Sequence, residues 1–102
     1  ELFYDRAALI ALPPEMRPAY AQHLQSLLGD KTQGLLITVE YDPSLMHGPP
    51  FTVSEAETRR IFAGLGCEKL LEYDCLDEEP RFKARGLTWM KEVVYRLSRN
   101  PR

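Results

Sequence analysis

Few side chains in this sequence could do chemistry, and they are scattered. Cys67 and Cys75 lie eight residues apart, with no Cys-x-x-Cys pair. A zinc site needs four ligands at tighter spacing, and only His23 and His47 could join the two thiols. The cysteines read most simply as buried hydrophobes in a reducing cytoplasm. His23 falls beside the apolar stripe of a helix and reads as a boundary residue, and His47 lies in a loop. The arginines say more. Arg6 directly follows a short β-prone segment, Glu1 to Tyr4. Ligands of open α/β sheets bind outside the carboxyl ends of the strands, so Arg6 stands where a ligand would be met. The plainer alternative is a surface guanidinium paired with Asp5. Arg81 is surrounded by Glu78, Glu79 and Lys83, so it is either a ligand contact or part of a solvated charged loop. Arg85 rivals it on position alone.

The elements that must carry these residues can be read from spacing. After Glu1–Tyr4 comes the small apolar stretch Ala7 to Leu12, then Pro13-Pro14. Met16, Tyr20, Leu24, Leu27 and Leu28 then recur at helical spacing, which predicts a helix from about Pro14 to Leu28. Pro14 suits its first turn, Glu15 suits the positive end of its dipole, and Gly29-Asp30 ends it. Gly34 to Tyr41 is nearly continuous in apolar and β-branched residues, the pattern of a strand covered on both faces. Asp42 to Thr52, with three prolines and one glycine, is a loop. Tyr41, Pro49, Pro50 and Phe51 therefore follow a buried strand at the ligand end of the sheet, where rigid prolines could offer a flat apolar wall. A turn that merely covers the core is the alternative.

Ser54-Glu55-Ala56-Glu57 is a capping box, and its helix should run to about Ala63, stopped by Gly64 and Gly66. Cys67 to Tyr73 reads as a strand, Asp74 to Gly86 as a polar excursion, and the second half of Leu87 to Ser98 as a last strand. Trp89 and Tyr95 read as core. The order is strand, helix, strand, helix, strand, long loop, strand, which implies an α/β layered sheet whose final two strands could pair antiparallel.

Composition narrows the classes. The chain has 102 residues, 44% hydrophobic and 27% charged, enough for one thin-cored domain at most. A net charge of −2 offers no basic field for nucleic acid. The longest apolar run, Ala7 to Leu12, is far too short to span a membrane, and no signal peptide is expected from these residues. The sequence opens inside a strand with no initiator Met, so residues are expected upstream.

Three segments carry a resemblance. Tyr4-Asp5-Arg6-Ala7-Ala8-Leu9-Ile10-Ala11-Leu12-Pro13 is the first. Gly34 to Pro43, continuing to Gly48-Pro49-Pro50-Phe51, is the second, and Glu78-Glu79-Pro80-Arg81 with Gly86-Leu87 and Val94-Tyr95-Arg96-Leu97 is the third. Together they resemble the C-terminal half of the thiopurine S-methyltransferase family, most closely its bacterial members, over essentially the whole chain. The resemblance implies a class I S-adenosylmethionine-dependent methyltransferase fold, Rossmann-like and doubly wound, with the last strand inserted antiparallel. Residues 1–102 would supply strands four to seven of that single domain. The glycine-rich loop after the family's first strand is absent: no Gly-x-Gly-x-x-Gly occurs here.

The activity implied is methylation of small aromatic or heterocyclic thiols such as thiopurines, extending to selenium or tellurium compounds, with detoxification as its use. By resemblance Arg6 contacts S-adenosylmethionine, Arg81 lies on the substrate side, and Tyr41, Pro49 and Pro50 wall the thiol pocket. No residue is assigned catalytic or metal-binding chemistry. The partners implied are a small thiol and the N-terminal half of the same chain, in an enzyme that is monomeric when complete, without nucleic acid or membrane. Two other readings stay open: a non-catalytic α/β binding module, and a related methyltransferase acting on halide or thiocyanate.

Overall fold

Two parallel strands need a crossover of a dozen or more residues between them. Here β1 (Leu2–Asp5) and β2 (Gln33–Glu40) pair in parallel, with Leu2 opposite Gln33 and Asp5 opposite Leu36. The computed structural model of the chain describes residues 2–5, 8–29 and 33–99. Between the two strands lie 3-10 turns at Leu9–Ala11 and Pro14–Met16, then α1 (Arg17–Leu27).

The expected helix from Pro14 to Leu28 is present with a different phase. Its first turn is wound as a 3-10 turn, with three residues per turn, so Met16 precedes the α-helix instead of lying on its inner face. Met16 and Leu27 are exposed. The inward residues are Arg17, Ala21, Leu24 and Leu28, spaced as one helical face.

Beyond β2, a loop leads to α2 (Glu55–Ile61), β3 (Gly66–Asp74), a 3-10 turn at Leu76–Glu78, α3 (Pro80–Ala84) and β4 (Lys91–Ser98). The sheet order is β1-β2-β4-β3, with β4 antiparallel to both neighbours. The last strand is thus inserted between β2 and β3. Strand β2 is buried along most of its length, as its apolar run anticipates. β3 is an edge strand, exposed from Glu68 onward. Its charges are engaged: Lys69 pairs with Glu55 and Glu72, Lys91 reaches Glu72, and Arg96 pairs with Glu68. Charged side chains of this kind discourage an edge from pairing with another chain.

Residues opposite each other in the antiparallel β2–β4 ladder share a face. Leu36 with Tyr95, and Leu97 and Val93 beside them, meet Ala21 and Leu24 of α1 and Phe62 just after α2. This is the main core. The opposite face sends Val39 into a second cluster with Tyr41, Met46, Leu76, Phe82 and Met90. Ile10 packs against both clusters.

Three other expectations change. The capping box at Ser54 is half built: Ser54 Oγ accepts from the Glu57 N–H at 3.1 Å, but the Glu57 carboxylate takes Arg17 instead. The glycine that stops a helix in the left-handed region is Gly86, at φ 107°, after α3 rather than after α2. Trp89 is 40% exposed and not core, because it precedes β4 in the short Thr88–Met90 connection, where Met90 turns inward instead. Tyr95 is fully buried, as read.

Candidate functional site

Three segments converge at the carboxyl ends of β1 and β2, each fixed by hydrogen bonds that its own sequence supplies. The first follows β1. Asp5 is buried, and its two carboxylate oxygens accept from the Ala8 N–H at 2.9 Å and from the Tyr20 hydroxyl at 2.6 Å. Burial, and then the bond to Asp5, hold the Tyr20 hydroxyl well above its ordinary range, so it stays a donor. Asp5 therefore shapes the turn and ties it to α1. The turn drives Leu9 into the core, leaves Ile10 half-buried between the two core clusters and leaves Ala11 exposed.

The second segment is the proline loop after β2. Tyr41 is buried, its N–H donates to Thr52 Oγ1 at 3.1 Å, and its hydroxyl donates to the Pro50 carbonyl at 2.7 Å. Burial pushes that hydroxyl upward and keeps it protonated. The Asp42 carboxylate caps the loop's first turn by accepting from the Ser44 N–H and hydroxyl, at 2.9 and 2.7 Å. Gly48-Pro49 and Pro49-Pro50 are cis peptides. The Phe51 N–H donates to the Ile10 carbonyl at 2.6 Å, joining the loop to the turn after β1.

The third segment is α3 with the residues after it. Phe82 is buried in the second core cluster. The Arg81 guanidinium lies 5.2 Å from the centre of the Phe82 ring and is largely exposed. Arg85 Nη2 donates to the His47 carbonyl at 2.9 Å, so α3 clasps the proline loop from its far side.

Between the three segments lies a cavity of about 480 Å³. Ile10 and Ala11 form one wall, Pro49 and Pro50 a second, and Arg81, Phe82 and Arg85 the third. This size and mixture suit a small ligand: mostly apolar walls with a few polar groups placed by the fold. Among the described residues, two guanidiniums and no carboxylate line it. A nearby positive charge favours the ionised form of an acidic group.

Of the residues singled out by sequence, Pro49, Pro50 and Arg81 line this cavity, as does the rival Arg85. Tyr41 does not line it. The Tyr41 ring lies in the core behind Pro50 and positions that wall through its hydroxyl. Arg6 lies outside the described residues. No Gly-x-Gly-x-x-Gly turn occurs in the sequence, so the described residues form a small-ligand pocket without the glycine-rich cradle of a nucleotide-like cofactor. Cys75 is buried and Cys67 half-buried.

Sequence reasoning missed four residues that build the site: Ile10, Ala11, Phe82 and Arg17. Arg17 is 2% exposed and among the largest fully buried side chains. Its Nη1 meets the Glu57 carboxylate at 2.7 Å, and its Nε and Nη2 each donate at 3.2 Å, to the carbonyls of Leu12 and Thr52. The available signal was its spacing: 17, 21, 24 and 28 form a single helical face whose other members are Ala and Leu.

Comparison with known proteins places the chain in a family. A family model described as Thiopurine S-methyltransferase (TPMT) matches residues 1–100. A thiopurine S-methyltransferase of Pseudomonas paraeruginosa is 50% identical over 98 residues, covering 95% of this chain and 45% of the relative. One from Nitrosomonas eutropha is 53% identical over 97 residues, covering 94% and 44%. One from Bordetella petrii is 50% identical over 97 residues, with the same coverage. The chain thus spans about half the length of the curated relatives it matches. The family implies a class I methyltransferase fold, with which the four-stranded mixed sheet and its inserted antiparallel strand are compatible. The chain belongs to the thiopurine S-methyltransferase family.

Proposed function

We propose that this chain is the C-terminal half of an S-adenosylmethionine-dependent methyltransferase, and that the cavity holds its acceptor, a small aromatic or heterocyclic thiol such as a thiopurine. The observation that carries this reading is an apolar cavity faced by Arg81 and Arg85 at the carboxyl ends of β1 and β2, in a chain of this family. The antiparallel strand β4 inserted between β2 and β3 is compatible with the fold of that family.

When bound, the cofactor supplies an electrophilic methyl group on a sulfonium, and the rest of the work is positioning and electrostatics. Pro49, Pro50, Ile10 and Ala11 give the acceptor ring flat apolar surfaces. Arg81 and Arg85 favour the thiolate or thione anion over the neutral thiol, which makes sulfur the nucleophile without a protein base. The Arg81 guanidinium is largely exposed and lies 3.9 Å from the Glu79 carboxylate, while Arg85 is held by the His47 carbonyl and acts from a fixed position. Arg6, one residue beyond the end of β1, is the residue we assign to the cofactor. Selenium and tellurium compounds need the same walls and the same in-line geometry, so they fall within the proposed range. Detoxification of such compounds in the cytoplasm is the proposed use, by an enzyme that is monomeric when complete.

The test is methyl transfer from labelled S-adenosylmethionine to 6-mercaptopurine and to thiophenol by the full-length protein. Saturable, acceptor-dependent labelling of sulfur is expected. If the protein binds these thiols without methylating them, the chain is a binding module. If it methylates iodide or thiocyanate in preference, the cavity belongs to a halide-type enzyme.

A further inference from the structure

The cavity needs two independent walls held at a fixed separation, and a single side chain spans the backbone behind both. Leu12 directly follows Ala11 of the first wall, and Thr52 lies two residues after Pro50 of the second. Arg17 donates to the carbonyls of both, at 3.2 Å each, from one rigid guanidinium. Its third contact, Glu57 at 2.7 Å, anchors it to the first turn of α2. The fork geometry matters here. Five donors in a plane can serve two carbonyls and a carboxylate at once, whereas the single ammonium of a lysine cannot hold the same span.

The joint continues outward from Arg17. Thr52 Oγ1 accepts from the Tyr41 N–H, Tyr41 in turn holds Pro50, and the Phe51 N–H closes the gap to Ile10 at 2.6 Å. We infer that Arg17 is a positioning residue for the acceptor: it sets the separation of the two cavity walls and thereby governs acceptor binding without touching the acceptor. This inference rests on the cavity being the acceptor site.

The alternative role is purely structural, an ion pair that holds α1 to α2. Three substitutions in the full-length protein separate the two. Glu57→Gln removes the ion pair and leaves both carbonyl bonds. Arg17→Met removes all three contacts. Arg17→Lys keeps a positive charge beside Glu57 and gives up the span. The acceptor KM for thiophenol should rise about tenfold or more in Arg17→Met and several-fold in Arg17→Lys, with the dissociation constant of S-adenosylmethionine within about twofold of wild type. Glu57→Gln should lower the melting temperature with acceptor KM nearly unchanged.

A second readout does not depend on activity. Amide hydrogen exchange at Phe51 should accelerate in Arg17→Met, and in Arg17→Lys if Arg17→Met does not fold, by a larger factor than exchange at Val93 and Tyr95 in the core. In Glu57→Gln the factors should be equal. A uniform acceleration in all variants, or an acceptor KM that tracks stability alone, overturns the inference. If wild-type protein methylates no thiol, the function proposed above fails, while the exchange pattern still decides whether Arg17 holds the walls.

Discussion

Replacing Gly48 by alanine should disturb the proline loop in a calculable way. A Cβ built there lies 2.5, 2.6 and 2.8 Å from Cγ, Cδ1 and Cδ2 of the Phe51 ring. Carbon atoms pack at about 3.5–4.0 Å, so the ring must withdraw by roughly 1 Å. Phe51 cannot withdraw freely, because its N–H is bonded to the Ile10 carbonyl at 2.6 Å. Overpacking of this kind costs about 1–3 kcal/mol. In a protein about twice the length of this chain, each kcal/mol lowers the melting temperature by roughly 2–4 °C, so Gly48→Ala should melt roughly 2–12 °C lower. The acceptor KM should rise with it, since Pro49 and Pro50 sit between the two colliding residues. The assay is thermal denaturation of four full-length proteins: wild type, Gly48→Ala, Phe51→Ala and the double variant. With the ring removed, the three atoms nearest the added methyl group are gone, so the cycle should show a coupling of about 1 kcal/mol or more. Additive losses would show that the clash is not the cause and refute the packing described here.

Tyr41→Phe removes the donor to the Pro50 carbonyl and should cost about 0.5–1.5 kcal/mol in denaturant unfolding, with a raised acceptor KM and unchanged cofactor binding. Arg81→Met should raise the acceptor KM only a few-fold, because an exposed charge is screened, and should move the pH dependence of KM upward as the bound thiol loses a cation. Arg6→Ala should weaken S-adenosylmethionine binding in calorimetry and slow turnover, whereas unchanged kinetics would remove Arg6 from the site. Burial, followed by the nearby carboxylates of Glu92 and Asp74, pushes the Cys75 thiol up to about 11 from an ordinary value of 9.0. A raised folded-state value means that its contribution to stability is intact below about pH 9 and is lost as pH rises through about 11. Cys75→Ala should therefore flatten the alkaline decline in stability over that interval, as measured by urea unfolding.

Strands β2 and β4 were legible because runs rich in apolar and β-branched residues have few other solutions. β2 is the clearest case: the nearly continuous run from Gly34 to Tyr41 marks a strand covered on both faces, and β2 is buried on both. The phase of α1 was not legible, because the stripe was counted from Met16 and the 3-10 turn displaces that residue from the helix. Counting by hydrophobicity also excluded Arg17, whose burial depends on partners distant in sequence: Thr52 and Glu57. The same long-range pair explains why Glu57 leaves its capping box half made. α3 was read as a polar excursion because its sequence, Pro-Arg-Phe-Lys-Ala, is too short for periodicity to register. The cavity's prolines and Arg81 were found through strand-end position and family resemblance, but Phe82, Ile10 and Ala11 carry no chemistry that would single them out. Ile10 packs against both core clusters and Phe82 belongs to one of them, contacts that sequence spacing does not register.

The central claim is that the cavity between the β1 turn, the proline loop and α3 holds the thiol acceptor. The most direct test is a backbone NMR titration of the full-length protein with thiophenol at saturating S-adenosylmethionine analogue. Saturable shifts concentrated at Ile10, Ala11, Phe51, Phe82 and Arg85 are expected. Saturable shifts at a separate surface, with these amides unmoved, would contradict it.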